Sequence, residues 1–222
     1  MAVAIFDLDH TLIDTDSDHS WGEFLVAKGV VDAVAFKKAN DYFYEQYKNS
    51  SLDIDEYLKF ALRPLADNPP EKMHALREEF VKEIIRPLIK PNVAALLDKH
   101  RQAGDILMII SATNRFIVDP IAEEIGIPEV LAIEVEMEDG RYTGRHYDIP
   151  TYQAGKVTRF MRWMEQNPGH KLEECWFYSD SKNDLPLLKK VGKPVAVDAD
   201  DILKTIAQEN GWPVISLKVS IR

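Results

Sequence analysis

The sequence predicts an α/β fold: a doubly wound, Rossmann-like and mainly parallel sheet with an inserted helical domain. Short apolar segments support the sheet, because continuous runs rich in Val, Ile and aromatic residues suit strands that are covered on both faces. They lie at Val3–Asp7, Asp105–Ala112, Glu174–Asp180, Pro194–Asp198 and Pro213–Leu217. Beyond the first strand, helical patterns separate these segments, which is the alternation typical of a doubly wound fold.

The helices of the α/β domain are marked by apolar periodicity. They span Pro91–Ala103, Arg115–Ile125, Ala154–Gln166, Asp184–Val191 and Ala199–Asn210. Glycines follow most of them, at the positions where helix C-caps belong. A further segment, VLAIEVEMEDGRYTG, contains a strand followed by Asp139-Gly140, and this dipeptide predicts a hairpin turn.

No strand pattern occurs between Ser17 and Leu88. This stretch contains helical periods, many aromatic residues and several prolines. We therefore predict two domains: an α/β core formed by residues 1–15 and 89–222, and a helical domain formed by residues 16–88.

Composition and charge exclude several classes of function. The chain has 222 residues, a net charge of −10 and a single cysteine. The negative charge argues against nucleic acids and anionic membranes as partners, and one cysteine allows no internal disulfide. We expect a cytoplasmic protein, since no segment resembles an export signal or a membrane span. The oligomeric state is left open.

Acidic and hydroxyl side chains stand at the ends of three predicted strands. They are Asp7 and Asp9 in the first, Ser111 to Thr113 in the second, and Asp180, Asn183 and Asp184 in the third. Ligands bind outside the carboxyl ends of such strands, so we expect these groups to converge. Clustered carboxylates repel unless a cation is bound, and oxygen-only ligands suit Mg²⁺. Lys156 is the candidate cation for an anionic substrate.

These residues carry a resemblance. The set Asp7-x-Asp9-x-Thr11, Ser111, Lys156 and Asp180-x-x-x-Asp184 resembles the four motifs of the haloacid dehalogenase (HAD) superfamily, in order and in placement. The helical insertion after the first motif resembles the C1 cap of the phosphoserine-phosphatase-like class, called class IB. The resemblance covers essentially the whole chain.

The resemblance implies a role for each motif residue. Asp7 would be the nucleophile that forms an aspartyl-phosphate, and Asp9 would be the general acid and base. Mg²⁺ would be held by Asp7, by Asp180 and by the backbone carbonyl of Asp9. The remaining members would bind the phosphoryl group (Ser111, Ala112 and Lys156) or support the site (Thr11, Asn183 and Asp184).

Asp9 also favours one reaction over others within the superfamily. Dehalogenases lack an acid at this position, and P-type ATPases carry Thr or Lys, so Asp9 favours a phosphatase or a phosphomutase. The helical cap and the lack of a second, sugar-binding insertion favour a phosphatase, and we expect it to act on a small phosphorylated metabolite. Two alternatives stay open at this point. One is a regulatory module that uses aspartyl phosphorylation as a switch, and the other is a phosphotransferase, which differs only in the acceptor.

Substrate selectivity is expected in the helical cap. In phosphoserine phosphatases an acid shortly after the first motif binds the substrate ammonium, and Asp16 occupies the matching place. The cap arginine that binds the substrate carboxylate has no match, although Lys59 and Arg63 are near. We therefore expect an amino-bearing phosphate without a carboxylate, histidinol phosphate ahead of phosphoserine. The candidate substrate-binding residues are Asp16, Asp18, His19 and Trp21; Asp16 or Ser17 as an ordinary helix cap is an equal alternative.

Overall fold

The computed structural model describes residues 2–219, which contain one mainly parallel sheet. The strands are β1 (Val3–Phe6), β2 (Ile106–Asn114), β3 (Glu129–Glu138), β4 (Arg141–Tyr147), β5 (Trp176–Ser179), β6 (Lys193–Val197) and β7 (Val214–Ile215). Their order is β4-β3-β2-β1-β5-β6-β7, and each neighbouring pair is parallel except β3 and β4. This arrangement confirms the doubly wound α/β prediction and places β1 at the centre.

Helices occupy most of residues 17–88, the helical part of the chain. They are α1 (Ser17–Ala27), α2 (Ala33–Lys48), α3 (Ile54–Ala61), α4 (Arg63–Asp67) and α5 (Pro70–Phe80), followed by a π-helical turn at Val81–Ile85 and a 3₁₀ turn at Arg86–Leu88. An isolated antiparallel bridge between Ile13 and Ile89 joins the two chain segments that enter and leave this helical part. The helical part is therefore connected to the sheet through two adjacent segments.

The remaining helices alternate with the strands. They are α6 (Val93–Ala103), α7 (Arg115–Ile125), α8 (Ala154–Gln166), α9 (Leu185–Leu188) and α10 (Asp201–Glu209). Helix α9 is shorter than the predicted Asp184–Val191, and after it the chain passes close to Glu173. A Cβ atom on Gly192 would lie only 2.0 Å from the Glu173 carbonyl oxygen. Within residues 2–219, no helix has both the length and the apolar character needed to cross a membrane.

The predicted hairpin joins β3 to β4. Asp139 and Gly140 have φ values of 48° and 75°, and positive φ at both central positions suits a two-residue hairpin turn. The hairpin places β4 at one edge of the sheet.

Two apolar clusters cover the two faces of the sheet. Because side chains alternate along a strand, Val3 and Ile5 belong to one cluster, whereas Ala4 and Phe6 belong to the other. The Phe6 cluster continues into the helical part, where it includes Trp21 and Phe80. The helical part thus shares a continuous core with one face of the sheet.

Candidate active site

The site begins where β1 ends, at Asp7. This carboxylate is buried, and its Oδ1 atom lies 2.8 Å from Lys156 Nζ. Lys156 Nζ also lies 2.7 Å from Asp184 Oδ1. Burial by itself lowers the pKa of a lysine, but the carboxylates of Asp184 and Asp7 outweigh burial and raise the pKa of Lys156. Lys156 is therefore a fixed buried cation.

Helix α8 delivers Lys156 to this position through a close approach of two backbones. A Cβ atom on Gly155 would lie 1.9 Å from the Pro150 carbonyl oxygen, so only glycine fits before Lys156. The neighbouring Thr151 hydroxyl donates to the carbonyl oxygen of Ser111. The segment that leads into α8 is thereby fixed against β2.

Thr11 connects the acids at the ends of β1 and β5. Its hydroxyl group lies 3.3 Å from Asp7 Oδ2 and 3.0 Å from Asp180 Oδ1. Burial raises the pKa of Asp180 well above its usual range, and the negative charge of Asp7 raises it further. The two carboxylates are therefore adjacent and incompletely neutralised.

The donor set at this point fits a hard divalent cation. Four acidic side chains (Asp7, Asp9, Asp180 and Asp184) follow these strand ends, and Lys156 pairs with two of them, Asp7 and Asp184, so negative charge is in excess. The donors are oxygen atoms, which Mg²⁺ prefers. In the described residues no three His, Cys, Asp or Glu side chains form a metal-site group. The Mg²⁺ ligand set predicted from the sequence contains only two carboxylates, those of Asp7 and Asp180, and its third ligand is the backbone carbonyl of Asp9.

Asp9 is held from two sides. Its Oδ1 atom accepts from the Ser17 backbone N–H at 2.7 Å, and its Oδ2 atom accepts from the Thr113 hydroxyl at 2.8 Å. Burial, followed by the charges of Asp16 and Asp7, raises the pKa of Asp9 to about 7. A carboxyl group with this pKa is suited to donate and accept a proton near neutral pH.

Ser111 lies within strand β2, in agreement with the predicted strand Asp105–Ala112. Strand β2 runs on to Asn114, with an irregular register between Ile110 and Asn114 that leaves Ser111 and Ala112 in extended backbone. The Ser111 hydroxyl accepts from the Thr113 N–H at 3.1 Å. Ala112 lines the cleft that is described next.

A cleft separates the strand ends from the helical part. It spans about 450 Å³ of non-atom space, part of which is open solvent. Acidic, aromatic and small side chains from both parts line it: Asp9, Asp16, Asp18, His19, Asn40, Phe43, Tyr44, Tyr47, Leu52, Ile54, Tyr57, Ala112, Thr113 and Tyr152. None of these lining residues is Lys or Arg.

Asp16 combines the two roles that the sequence suggests. It caps α1, where its Oδ1 atom accepts from the His19 N–H at 2.8 Å, and it also lines the cleft. Asp18 accepts from the Tyr57 hydroxyl at 2.6 Å and from Asn114 Nδ2 at 3.2 Å. Burial raises the pKa of Asp16 and of Asp18 to about 6 in each case.

His19 lies against the aromatic wall of the cleft. Its ring stacks on Tyr44 with 4.6 Å between the ring centroids. Its Nε2 atom lies 3.0 Å from Asp41 Oδ1, which fixes the orientation of the imidazole. His19 therefore presents an oriented ring to the cleft.

Trp21 does not reach the cleft, so its predicted place among the substrate-binding residues is wrong. Its indole is buried and contacts the rings of Phe24, Phe80 and Phe116. The physical reason is helix periodicity: Trp21 belongs with Phe24 and Leu25 to the buried stripe of α1.

The structure adds residues that sequence reasoning did not select. They are Tyr57 and Asn114, which hold Asp18. The predicted supporting residue Asn183 contacts the helical part through Ser50. Asn114 could have been found from the sequence, because it directly follows the Ser111–Thr113 segment. No sequence signal distinguishes Tyr57 from the other aromatic residues of the helical part, because only packing determines which ring faces the cleft.

Comparisons with known proteins identify the family of this chain. Residues 4–189 match the family model of the haloacid dehalogenase-like hydrolases. The chain is 46% identical to a histidinol-phosphatase of Neisseria meningitidis over 97% of its own length and 99% of the relative's. It is 31% identical to the phosphoserine phosphatase SerB1 of Mycobacterium tuberculosis, with coverage of 99% and 72%.

A solved structure of a Bordetella pertussis protein with unknown function has the same fold. It superposes with a TM-score of 0.90 at 38% identity and covers 97% of this chain and 98% of that one. The motif residues, the fold and these relatives agree on one assignment. The chain is a phosphatase that belongs to the haloacid dehalogenase-like hydrolase family, within its phosphoserine-phosphatase-like C1-cap class.

Proposed function

We propose that this phosphatase hydrolyses a small amino-bearing phosphomonoester, and that histidinol phosphate is its substrate. The observation that carries this proposal is the charge of the cleft. Asp16 and Asp18 line it together with aromatic rings, and no Lys or Arg does. Carboxylates and aromatic faces bind cations, whereas a substrate carboxylate would need a cation in the wall.

Each chemical group of histidinol phosphate matches the residues that line the cleft. It has a phosphate ester, an ammonium group and an imidazole ring, and it has no carboxylate. The ammonium would pair with Asp16 or Asp18, and the imidazole would lie against Tyr44, Tyr57 or His19. The relative named histidinol-phosphatase, at 46% identity over nearly the full length of both chains, supports the same choice.

Phosphoserine is the alternative substrate, and the relative SerB1 favours it. Its carboxylate would require Lys59 or Arg63, the nearest matches to the family's cap arginine. Both lie outside the cleft: Lys59 Nζ pairs with Glu56, and Arg63 Nε lies 3.2 Å from Asp67 Oδ2. We therefore place phosphoserine second.

The first half of the reaction would use Asp7 and Asp9. An Asp7 carboxylate oxygen attacks phosphorus, the ester P–O bond breaks, and Asp9 gives its proton to the departing alkoxide oxygen. Lys156, 2.8 Å from Asp7, would bind the phosphoryl oxygens together with Ser111 and the backbone of Ala112. Alcohol and aspartyl-phosphate are the products of this half.

The second half would return the enzyme to its starting state. Asp9, now a carboxylate, takes a proton from water, the water oxygen attacks phosphorus, and the bond to Asp7 breaks. Inorganic phosphate leaves, and Asp9 has regained its proton. The Thr113 hydroxyl and the Ser17 N–H hold Asp9 in place for both proton transfers.

Mg²⁺ is the proposed cofactor. Asp7, Asp180 and the Asp9 backbone carbonyl would hold the ion, which would offset the negative charge of the phosphoryl group and of the carboxylates. Asp184 keeps Lys156 oriented through its 2.7 Å ion pair.

A phosphatase screen over a panel of metabolites, with Mg²⁺ present, tests the proposal. Wild type should hydrolyse histidinol phosphate best, and Asp7→Asn should be inactive on every ester because its nucleophile is lost. A panel in which sugar phosphates or carboxylate-bearing esters rank first would refute the substrate. Activity retained by Asp7→Asn would refute the covalent mechanism.

A further inference from the structure

Lys90 is a buried lysine that the proposed reaction does not use. It lies between the helical part and α6, and only 3% of its surface is exposed. Burial of an ammonium group is costly unless its partners compensate the charge. Within residues 2–219 the other buried lysine is Lys156, which pairs with two acids of the active site. The partners of Lys90 therefore indicate what its charge can do.

The ammonium group of Lys90 contacts two acceptors. Its Nζ atom donates to the carbonyl oxygen of His10, and it lies 2.8 Å from Asp198 Oδ2. Asp198 directly follows β6, and the same oxygen accepts from the Leu217 N–H at 3.2 Å. Asp198 therefore compensates the charge of Lys90 and keeps the ammonium at the His10 carbonyl.

His10 lies between Asp9 and Thr11 and has an uncommon backbone conformation. Its φ is 55°, in the left-handed region that few residues with a side chain adopt. Its N–H donates to the Thr15 carbonyl oxygen at 3.1 Å, and its own carbonyl accepts from Lys90. Both peptide groups that flank His10 are therefore held, and the first of them contains the Asp9 carbonyl.

The backbone of Lys90 pairs with the same loop. Its N–H donates to the Leu12 carbonyl oxygen at 3.0 Å, beside the bridge between Ile13 and Ile89. This bond is formed by the main chain and does not depend on the side chain. A substitution of Lys90 can therefore remove the contact with His10 and leave the pairing of the two segments in place.

We propose that Lys90 is a positioning residue for Asp9: its ammonium holds the His10 peptide in place, and the His10 backbone fixes the direction of the Asp9 carboxyl group. This inference rests on the proposed role of Asp9 as general acid. Lys90 Nζ bonds to His10 and Asp198 and not to Asp9, so its effect passes through the backbone. A misdirected acid should slow most the cleavage of esters whose leaving group needs a proton.

Two variants remove the ammonium and a third serves as control. Lys90→Met leaves Asp198 without its partner, so Lys90→Met/Asp198→Asn, in which neither charge remains, carries the test if the single variant is unstable. Lys218→Met is the matched control, because Lys218 pairs with Asp14 at 2.8 Å but is half exposed. Tm shows that each variant is folded.

The measured quantity is kcat/KM in Mg²⁺ on two generic esters, propyl phosphate and p-nitrophenyl phosphate. This ratio reports the steps up to cleavage of the ester bond, and the nitrophenolate leaving group needs little protonation. Because neither ester is an amino-bearing metabolite, the result is independent of whether histidinol phosphate is the substrate.

In both Lys90 variants kcat/KM should fall by about tenfold on propyl phosphate and by less than about threefold on p-nitrophenyl phosphate, since one hydrogen bond from a charged group is lost. Lys218→Met should match wild type on both esters. Equal losses on the two esters, or wild-type values in the double variant, would overturn the proposal. Either result is what an ion pair that serves only the stability of the fold would give.

Asp9→Asn distinguishes failure of this inference from failure of the proposed mechanism. If Asp9 is the general acid, this variant should also lose more kcat/KM on propyl phosphate than on p-nitrophenyl phosphate. A selective loss in Asp9→Asn together with equal losses in Lys90→Met would overturn the positioning role alone. Equal losses in Asp9→Asn would refute the acid role of Asp9, and the inference with it.

Discussion

Thr113 donates a hydrogen bond to Asp9 across the carboxyl ends of two neighbouring strands, with 2.8 Å between Thr113 Oγ1 and Asp9 Oδ2. Strand β2 thereby orients the proposed general acid that follows β1. The same carboxylate is held on its other oxygen by the Ser17 N–H, at the start of the helical part. Asp9, the proposed proton donor, is therefore bonded both to β2 and to the first residue of α1.

Replacing Thr113 with Val should lower kcat for alkyl phosphates by about tenfold or more, because hydrogen bonds to charged groups contribute about 1.5–3 kcal/mol. The effect should be smaller for p-nitrophenyl phosphate, whose leaving group needs little protonation. Thr158→Val is the control, since that exposed hydroxyl contacts only the Ala154 carbonyl oxygen. Equal losses on both esters would show that Thr113 does not act through Asp9.

Asp16→Asn should raise KM for amino-bearing esters by about tenfold, the equivalent of about 1.4 kcal/mol, while leaving p-nitrophenyl phosphate nearly unaffected. An amide oxygen still caps α1, so the helix should be retained. Asp53→Asn is the matched control: it caps α3, where it accepts from two backbone N–H groups, and it is exposed. Equal loss on all esters would mean that Asp16 serves the core chemistry or the fold.

The preference for an ammonium group should depend on pH. Burial raises the pKa of Asp16 and of Asp18 to about 6, so both lose their charge as pH falls through that value. A protonated carboxyl cannot pair with ammonium. The ratio of kcat/KM for phosphoethanolamine to that for propyl phosphate should therefore fall below about pH 6. In Asp16→Asn this pH dependence should weaken, and a pH-independent ratio in wild type would contradict the prediction.

Metal removal should abolish activity and leave the protein folded. The ion pairs of Lys156 with Asp7 and Asp184 are direct, so they do not require a metal. Mg²⁺ that binds the folded state should raise Tm, and Asp180→Asn should lose both activity and this rise. Full activity in the presence of a strong chelator, or an unchanged Tm rise in Asp180→Asn, would count against the proposed ligand set.

Much of the fold follows from local pattern. The buried strands, the hairpin at Asp139-Gly140 and the α8 helix are visible in the sequence because each depends on residues close in the chain. The ends are less predictable: β7 keeps only Val214–Ile215 of the five predicted residues. Only these two residues pair with β6, so the length of β7 depends on a neighbouring strand that is distant in the sequence.

The motif acids could be located because strand ends in a parallel sheet converge on one edge. The residues proposed to select the substrate were harder to locate from the sequence. Trp21 and Tyr57 are both cap aromatics, yet one fills the core and the other holds Asp18, a difference that arises only from packing. The contact of Asn183 with Ser50 joins residues 133 positions apart, and no local pattern predicts it.

The central claim is that an acidic, aromatic cleft without Lys or Arg selects an amino-bearing ester that lacks a carboxylate. The most direct test is kcat/KM for histidinol phosphate and for phosphoserine, measured on the same enzyme preparation in Mg²⁺. The account predicts a preference for histidinol phosphate of about tenfold or more, since pairing the ammonium without burying an unpaired carboxylate is worth at least about 1.4 kcal/mol. Equal or higher kcat/KM on phosphoserine would contradict it.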